Sequence, residues 1–588
     1  MSPDKLDQRV ARIGNCSGFY GDRLSAFREM LEGGPLDYLT GDYLAELTML
    51  ILGKDTFKDP NLGYARTFVR QAEDALGVAL EKGVKVVVNA GGLNPKGLAE
   101  KLAEVSNGLG LSPKIAYVAG DDIRSQTEAL GLAHEQYGNP LTANAYLGAF
   151  GIASALGKGA DLVVTGRVTD ASVVVGPAIH HHGWTPESYD ALAGAVIAGH
   201  IIECGTQACG GNFSGFLELA PEARSKPLGF PIAEIAADGS MVITKHEGTG
   251  GTVTVDTVTA QLVYEIQTTK YLNPDVTVDL TTMQLSQEAP DRVRVEGVTG
   301  DLPPAKLKAC LNYFAGYRNS MELILTGLDV EEKAAWIQAQ ATAAFGDAGP
   351  SRVVWSDVVQ PDTDAATQEA ASAILRITAF DTDAAKVAKG FTGPIIEQVL
   401  GSYPGFAPTR MPGPGTAYGV YTPAYVERGV VEHTVVHHDG SVEVIGDPKV
   451  SDQPLDRTVG LRQSPFPSPA DTLTRRLPLG TFVHGRSGDK GGDANIGLWV
   501  KHDGHPRYAE RVTWLTKYLS PRKVRELIPE AADLDIEVYP LPNLGGVNIL
   551  IHGLLDEGVA ATARFDPQAK GLAEWVRGRL ANIEGSLL

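Results

Sequence analysis

The chain has 588 residues, 43% of them apolar and 21% charged, and carries a net charge of −20. That length is too great for one hydrophobic core, so several domains are expected. The acidic balance excludes a general nucleic-acid binder, because a phosphate backbone would repel it, but a locally positive pocket for a small anion remains open.

The first ten residues, MSPDKLDQRV, lack the apolar core of a signal peptide. From there to about residue 230 one unit recurs. A short apolar run ends in Gly, Asn, Asp or Thr, and a helical pattern follows. The runs are ARIGN (11–15), LDYLT (36–40), VKVVVN (84–89), KIAYVA (114–119) and DLVVT (161–165). Such alternation predicts βαβ units and a parallel, Rossmann-like sheet covered on both faces. The segment from Ala65 to Lys82 places Phe68, Ala72, Leu76, Ala79 and Leu80 at helical spacing. ALAGAVIAGHII (191–202) is the most apolar run. It is too short for the roughly 20 residues that span a bilayer and reads as a buried helix.

Beyond residue 230 the pattern changes. MVITKHEGTGGTVTVDTVTAQLVYEI (241–266) alternates as β-structure around a glycine-rich turn. A strand (LNYFAGYRNSMELILTG), a helix (DVEEKAAWIQAQATAAFG), two strands (SRVVWSDVV and ILRITAFD) and a helix (FTGPIIEQVLGSY) follow, an order that suggests a ferredoxin-like α+β layer. Residues 451–472 are polar and proline-rich, as a linker is. The fold class is therefore α/β, with four segments. These are a parallel α/β domain at 1–230, an α+β domain packed on it at 231–450, the linker, and a small α+β domain at 473–588. Cys16, Cys204, Cys209 and Cys310 form no disulfide framework, which favours a reducing cytoplasm.

The 67 glycines exceed the average of roughly 7% and fall between apolar runs, where turns and ligand loops sit. In GRSGDKGGDANIG (485–497) two readings compete. Consecutive backbone N–H groups could cradle an anion, helped by Arg486 and Lys490 and opposed by Asp489 and Asp493. Alternatively the stretch is a hairpin in which glycine supplies positive φ. The Walker pattern is absent, since Gly491 follows Lys490. In GHIIECGTQACGGNFSGF (199–216), His200 and Glu203 share a helix face, and Glu203 ends an apolar helix where the macrodipole disfavours negative charge. Burial there would raise its pKa, as suits a general acid or base. Cys204 or Cys209 is a candidate nucleophile or metal ligand. Their spacing matches no closed zinc site.

Lys245, His246 and Glu247 at a flexible turn suit anion binding or proton transfer. Arg167 can grip a carboxylate or phosphate in bidentate fashion, with Asp170 orienting it. Asn89, Asn94, Asp121 and Asp122 follow other strands of the same sheet, and Ser17, Tyr20 and Asp22 in NCSGFYGD join them. Asp121 and Asp122 are the candidate ligands for a divalent metal. NCSGFYGD lacks a dinucleotide fingerprint. His180, His181 and His182 read as a helix end, and His437–Gly440 as a hairpin turn.

Together the stretches NCSGFYGD, DYLTGDYLAELTM, VNAGGLNP, VTGRVTDAS, GHIIECGTQACGGNFSGF and KHEGTGGTV resemble the acyclic terpene utilisation A family. GRSGDKGGDANIG resembles that family's ferredoxin-like C-terminal domain. The resemblance covers nearly the whole chain. It implies bacterial breakdown of acyclic terpenoids and similar branched acyl-CoA compounds, and it brings no assigned residues with it.

The expected activity is a cytoplasmic catabolic enzyme acting on an acyl-CoA or related carboxylate by lyase or hydratase chemistry. Glu203 and His246 are its candidate acid and base. Glycine-turn N–H groups are its oxyanion donors, and Arg167 and Lys490 hold substrate anions. Hydrolysis of a thioester or amide through Cys204, Cys209 or a metal is the alternative. A non-catalytic acyl-CoA-binding subunit is another. No cofactor is required, though a divalent metal is compatible and CoA can belong to the substrate. The expected partner is a small molecule, with neither nucleic acid nor membrane, in a homo-oligomer.

Overall fold

Five of the apolar runs become strands that lie side by side and parallel. In spatial order they are Ala11–Asn15, Tyr38–Gly41, Lys85–Val88, Leu162–Thr165 and Ile115–Ala119. Their Val, Ile and Leu side chains are buried towards both faces because helices cover both. The helix Arg66–Lys82 starts one residue later than its periodicity predicts and buries Phe68, Ala72, Leu76 and Ala79. Gly83 in the left-handed region ends it. The run 114–119 departs from the pattern. After it come a short 3₁₀ turn and the strand Thr142–Ala145, which joins a different sheet. The computed structural model describes residues 10–451 and 474–588, so the expected linker lies outside the described residues except for Ser451.

The parallel core is extended by antiparallel strands on both sides. Pro231–Ile235, Met241–Lys245 and the hairpin Gln284–Ala289/Arg292–Glu296 continue one edge, and Thr434–Val436 with Val442–Val444 continue the other. The division expected at residue 230 thus falls inside one sheet of 11 strands. The β-reading of 241–266 fails after Lys245, because Val255–Leu262 is a helix. Its β-branched residues suggest a strand, but every residue from Asp256 to Leu262 is buried, and packing overrides a weak propensity. A reciprocal capping box between Thr254 and Thr257 starts it. Thr254→Ala should therefore cost about 1 kcal/mol, read as a lower denaturation midpoint.

The run 191–202 is buried over its whole length within the helix Tyr189–Ile202. Among the described residues no helix is long and apolar enough to cross a membrane. The three histidines form the last turn of Ser172–His182, and His437–Gly440 turns between the strands Thr434–Val436 and Val442–Val444.

A second sheet is built on the 21-residue strand Lys306–Thr326. Ser372–Asp381 and then Arg352–Trp355 lie to one side of it, with Ala407–Pro408 and Thr416–Glu427 on the other. The helices Val330–Phe345 and Lys389–Ile396 bury Ile337, Phe345, Phe391 and Ile395 against it. This is the split βαβ order expected from the sequence.

The C-terminal domain holds a pair of hairpins side by side, in the order Val483–Lys490, Asp493–Val500, Gly546–Ile551, Ile536–Leu541. The glycine-rich stretch is the first hairpin. Lys490 faces Asp493 across a tip of Gly491 and Gly492, with Gly491 at φ 69°. Other glycines serve close approach. A Cβ on Gly488 would strike the Tyr264 ring, and one on Gly497 would strike Val263. The hairpin therefore lies directly on the turn that follows the helix Val255–Leu262. Buried Asn495 accepts the Glu265 N–H at 2.8 Å, and Asn548 donates to the Gln267 carbonyl at 2.9 Å. Those two side chains replace the water that this turn would otherwise need.

Candidate functional site

The parallel strands end at a common edge, where a doubly wound sheet binds ligands. Asp42 follows the second strand and Asn89 the third. Asn89 donates to Asp42 at 2.6 Å and accepts the Tyr43 N–H at 2.7 Å. Arg167 follows the strand Leu162–Thr165 and is 2% exposed. It pairs with Asp170 at 2.5 Å and stacks on Tyr146, 4.3 Å from the ring centre. Among the described residues its Nε has no hydrogen-bond partner.

Beside these groups ends the helix Tyr189–Ile202. Asn15 donates to the carbonyls of Ile202 and Glu203 at 2.7 and 3.1 Å, and so caps that end. Gly18 permits the approach, because a Cβ there would lie 2.7 Å from the Cys204 carbonyl carbon. This fixes Glu203 at the edge. Its Oε1 meets His200 Nδ1 at 2.9 Å, its Oε2 is buried without a partner, and the His200 ring packs on Tyr271. Burial, reinforced by Asp170 and Glu265, holds the Glu203 carboxyl well above the usual range. Asp42 is raised in the same direction by burial and then by Asp170 and Glu203. Burial and Lys490 push His200 down to about 4, so its imidazole is neutral.

The second sheet and the C-terminal domain close the site. Lys308 lies 3.8 Å from Glu46 and over the rings of Tyr146 and Tyr421, whose hydroxyls are buried without partners. Burial works against ionisation of Glu46. Lys308, with Arg167 and Lys490 behind it, outweighs that and holds its carboxyl down to about 2. From the hairpin, Arg486 stacks on Tyr264 and bonds Gln207, and Lys490 acts on His200, Glu203 and Glu46. Lys570 bonds the Tyr264 hydroxyl and bridges Asp489 at 3.2 Å and Glu265 at 3.7 Å. Of the two readings of the glycine-rich stretch, the structure has the hairpin and not the backbone cradle. Its side chains, rather than its backbone, face the charged centre. Among these deeply placed groups the side chains of Asp170 and Lys308 keep 31% exposure each and Glu46 26%, so solvent reaches the hollow between them.

Residues 11–437 match the model of a family described as "Acyclic terpene utilisation family protein AtuA". The chain belongs to the AtuA family. Residues 477–579 match the AtuA ferredoxin-like domain, which contains Arg486, Asp489, Lys490 and Lys570. The hollow is therefore assembled from both regions of this AtuA chain. No curated protein matches it.

The structure brings Asn89, Arg167, Asp170, Glu203, Cys204, Arg486, Asp489 and Lys490 into or onto the hollow. It separates His246, which contacts the Met30 carbonyl at 3.0 Å and lies against Gly33 and Gly34. The helix Ala26–Gly33 covers the sheet face opposite to the helix that ends in Glu203. Lys245 is clasped by Asp291 at 3.1 Å and the Thr249 carbonyl at 3.2 Å, where it stabilises its own turn.

Asn94 caps the helix Pro95–Gly108 by accepting the Gly97 N–H. Ser17 donates to the Phe19 carbonyl, and Tyr20 packs near Leu44 and Leu93. Asp121 accepts from the Arg167 N–H and Asn144, while Asp122 grips Arg124, so the two carboxylates serve separate partners. Burial drives the Cys209 thiol up to about 12. Burial, with Glu265 and Glu203, also raises that of Cys204.

Sequence reading passes over Asp42, Glu46, Tyr146, Glu265, Lys308, Tyr421 and Lys570. A signal existed for two of them. In LKAC, Lys308 shares a strand face with Cys310, and in LTGD, Asp42 follows a buried strand as Arg167 does in VTGR.

Proposed function

We propose that this AtuA-family chain is a cytoplasmic catabolic enzyme that acts on a branched or terpenoid acyl-CoA, or a related carboxylate, by a lyase or hydratase step. One observation carries the reading. Glu203 is a buried carboxyl, 2.9 Å from His200 and with Oε2 unpartnered among the described residues, whose ionisation is opposed by burial and by neighbouring carboxylates in a hollow that also presents fixed cations. A carboxyl that holds its proton above the ordinary carboxylate range is suited to act as a general acid. Arg167, Lys308 and Lys490 supply the positive pole that takes the substrate's anionic group. The unpartnered Arg167 Nε and the Tyr146 and Tyr421 hydroxyls are donors for an enolate-like oxygen. Glu265, ion-paired with Lys570, is the opposing carboxylate and takes the role of base that His246 is too far away to fill. The step runs on these side chains without a hydride carrier. Thiolate chemistry fits less well, because burial, and then the neighbouring carboxylates, disfavour the ionised form of Cys204.

The test is a thermal-shift titration of the full chain against acyl-CoAs, free branched acids and divalent metals. A carboxylate or acyl-CoA should raise the melting temperature in proportion to the logarithm of its excess over Kd. Lys490→Ala should weaken that ligand at least tenfold, and Cys204→Ser should leave it unchanged. The reading fails if no such compound stabilises the chain or if Lys490→Ala binds as the wild type does.

A further inference from the structure

Further along the same hairpin from Lys490, three ligand-type side chains from distant segments meet. His484 comes from the hairpin, Asp256 from the helix Val255–Leu262, and Glu218 from the turn Phe216–Glu218. One donor atom from each lies within 4.8 Å of the other two. His484 is 0% exposed, yet among the described residues its Nε2 has no hydrogen-bond partner, and it points towards Glu218 Oε1, 3.4 Å away. We propose that these three residues form a binding site for a divalent metal ion of the zinc class, which staples the ferredoxin-like domain to the rest of the chain.

Donor chemistry and geometry support this. Imidazole nitrogen and carboxylate oxygen are both zinc ligands, with bonds of about 2.0–2.2 Å. A tetrahedral ion with such bonds holds its donors roughly 3.4 Å apart, the separation already present between His484 and Glu218. His484 Nδ1 lies 3.1 Å from Ser214 Oγ. The tautomer that donates its proton to Ser214 leaves the Nε2 lone pair free for the ion. Asp256 is held in place by Trp499 Nε1 at 2.8 Å and His502 Nδ1 at 2.7 Å, both on its Oδ1. Its Oδ2 meets only the His502 N–H, at 3.1 Å. The Glu218 side chain is 49% exposed, so it can swing inward to close the remaining gap and provides the route of entry. The charges opposing the ion are Lys501, whose Nζ lies 3.5 Å from Glu218 Oε1 and has to be displaced, and behind it Arg577.

This site is independent of the proposed chemistry and is tested without a substrate. Tag-free full-length protein is stripped with chelator and titrated calorimetrically with zinc chloride, and its melting temperature is recorded alongside. One equivalent should bind and raise the melting temperature. Glu218→Gln, at a half-exposed side chain, should weaken binding at least tenfold, and His484→Asn should abolish it. Lys501→Ala should tighten binding, an effect that adventitious surface sites would not show. Absence of binding, or equal affinity in Glu218→Gln, Lys501→Ala and wild type, overturns the proposal.

Discussion

Glu203→Gln should lower turnover of the ligand found by the thermal-shift titration by at least about 10²-fold, the usual contribution of a general acid. The same substitution should make the protein more stable above neutral pH. The sign follows from linkage. A glutamate in the unfolded chain ionises near about 4.3, whereas burial and the neighbouring carboxylates raise Glu203 well above that in the fold. Between the two values the unfolded chain releases a proton that the folded chain retains, so stability falls as pH rises through that window and stays reduced above it. Each pH unit by which ionisation is delayed costs about 1.4 kcal/mol. Glutamine has no proton to withhold. Its advantage should be absent below about pH 4 and grow as pH increases. Asp42→Asn should shift stability in the same direction for the same reason. Denaturation midpoints from pH 4 to 9, measured beside kcat, separate the two effects. His246→Asn is the control and should keep its turnover. Turnover within twofold of wild type for Glu203→Gln would remove this residue from the chemistry.

The pattern of what the sequence reveals has a physical basis. A strand buried on both faces, such as Lys85–Val88, leaves a continuous apolar run, and the residue after it must be polar because it emerges at the sheet edge. Asn89 and Arg167 were therefore readable. Glu203 was readable because an acid at the end of an apolar helix contradicts both burial and the macrodipole. Glu265 carries no comparable signature, and Lys308 only the weak one of a strand face shared with Cys310. Lys308 sits in an ordinary alternating strand, and the pairing of residues 309–312 with Thr142–Ala145 joins that strand to the segment that carries Tyr146. Glu265 joins the site through its left-handed backbone, φ 56°, which Asn495 secures from 230 positions away. His246 misled because its neighbours in sequence, a lysine, an acid and three glycines, resemble a working turn. Which sheet face a turn serves is decided by tertiary packing. The error over Val255–Leu262 has the same origin, since threonine and valine favour strands only until a buried helix position accepts them.

The second large effect is expected at Gly497. An alanine Cβ there would fall against the Cγ2, Cβ and carbonyl oxygen of Val263. The obstruction includes backbone, which cannot rotate away as a side-chain tip can, so either the hairpin or the turn must move. Overpacking of this kind costs about 1–3 kcal/mol. Gly497→Ala should lower the denaturation midpoint accordingly. It should also weaken carboxylate or acyl-CoA binding, because the same hairpin carries Lys490 and holds Glu265 through Asn495. Gly393→Ala is the matched comparison. Gly393 lies in the helix Lys389–Ile396 with nothing within 4 Å of an added Cβ, and alanine there should be neutral or stabilising by up to about 1 kcal/mol. If Gly497→Ala matched wild type in both stability and ligand affinity, the hairpin would not be seated on Val263. The cations of the C-terminal domain would then lose their place opposite Glu203. A loss of stability with unchanged affinity would instead assign the hairpin a purely structural role and confine the chemistry to residues 11–437.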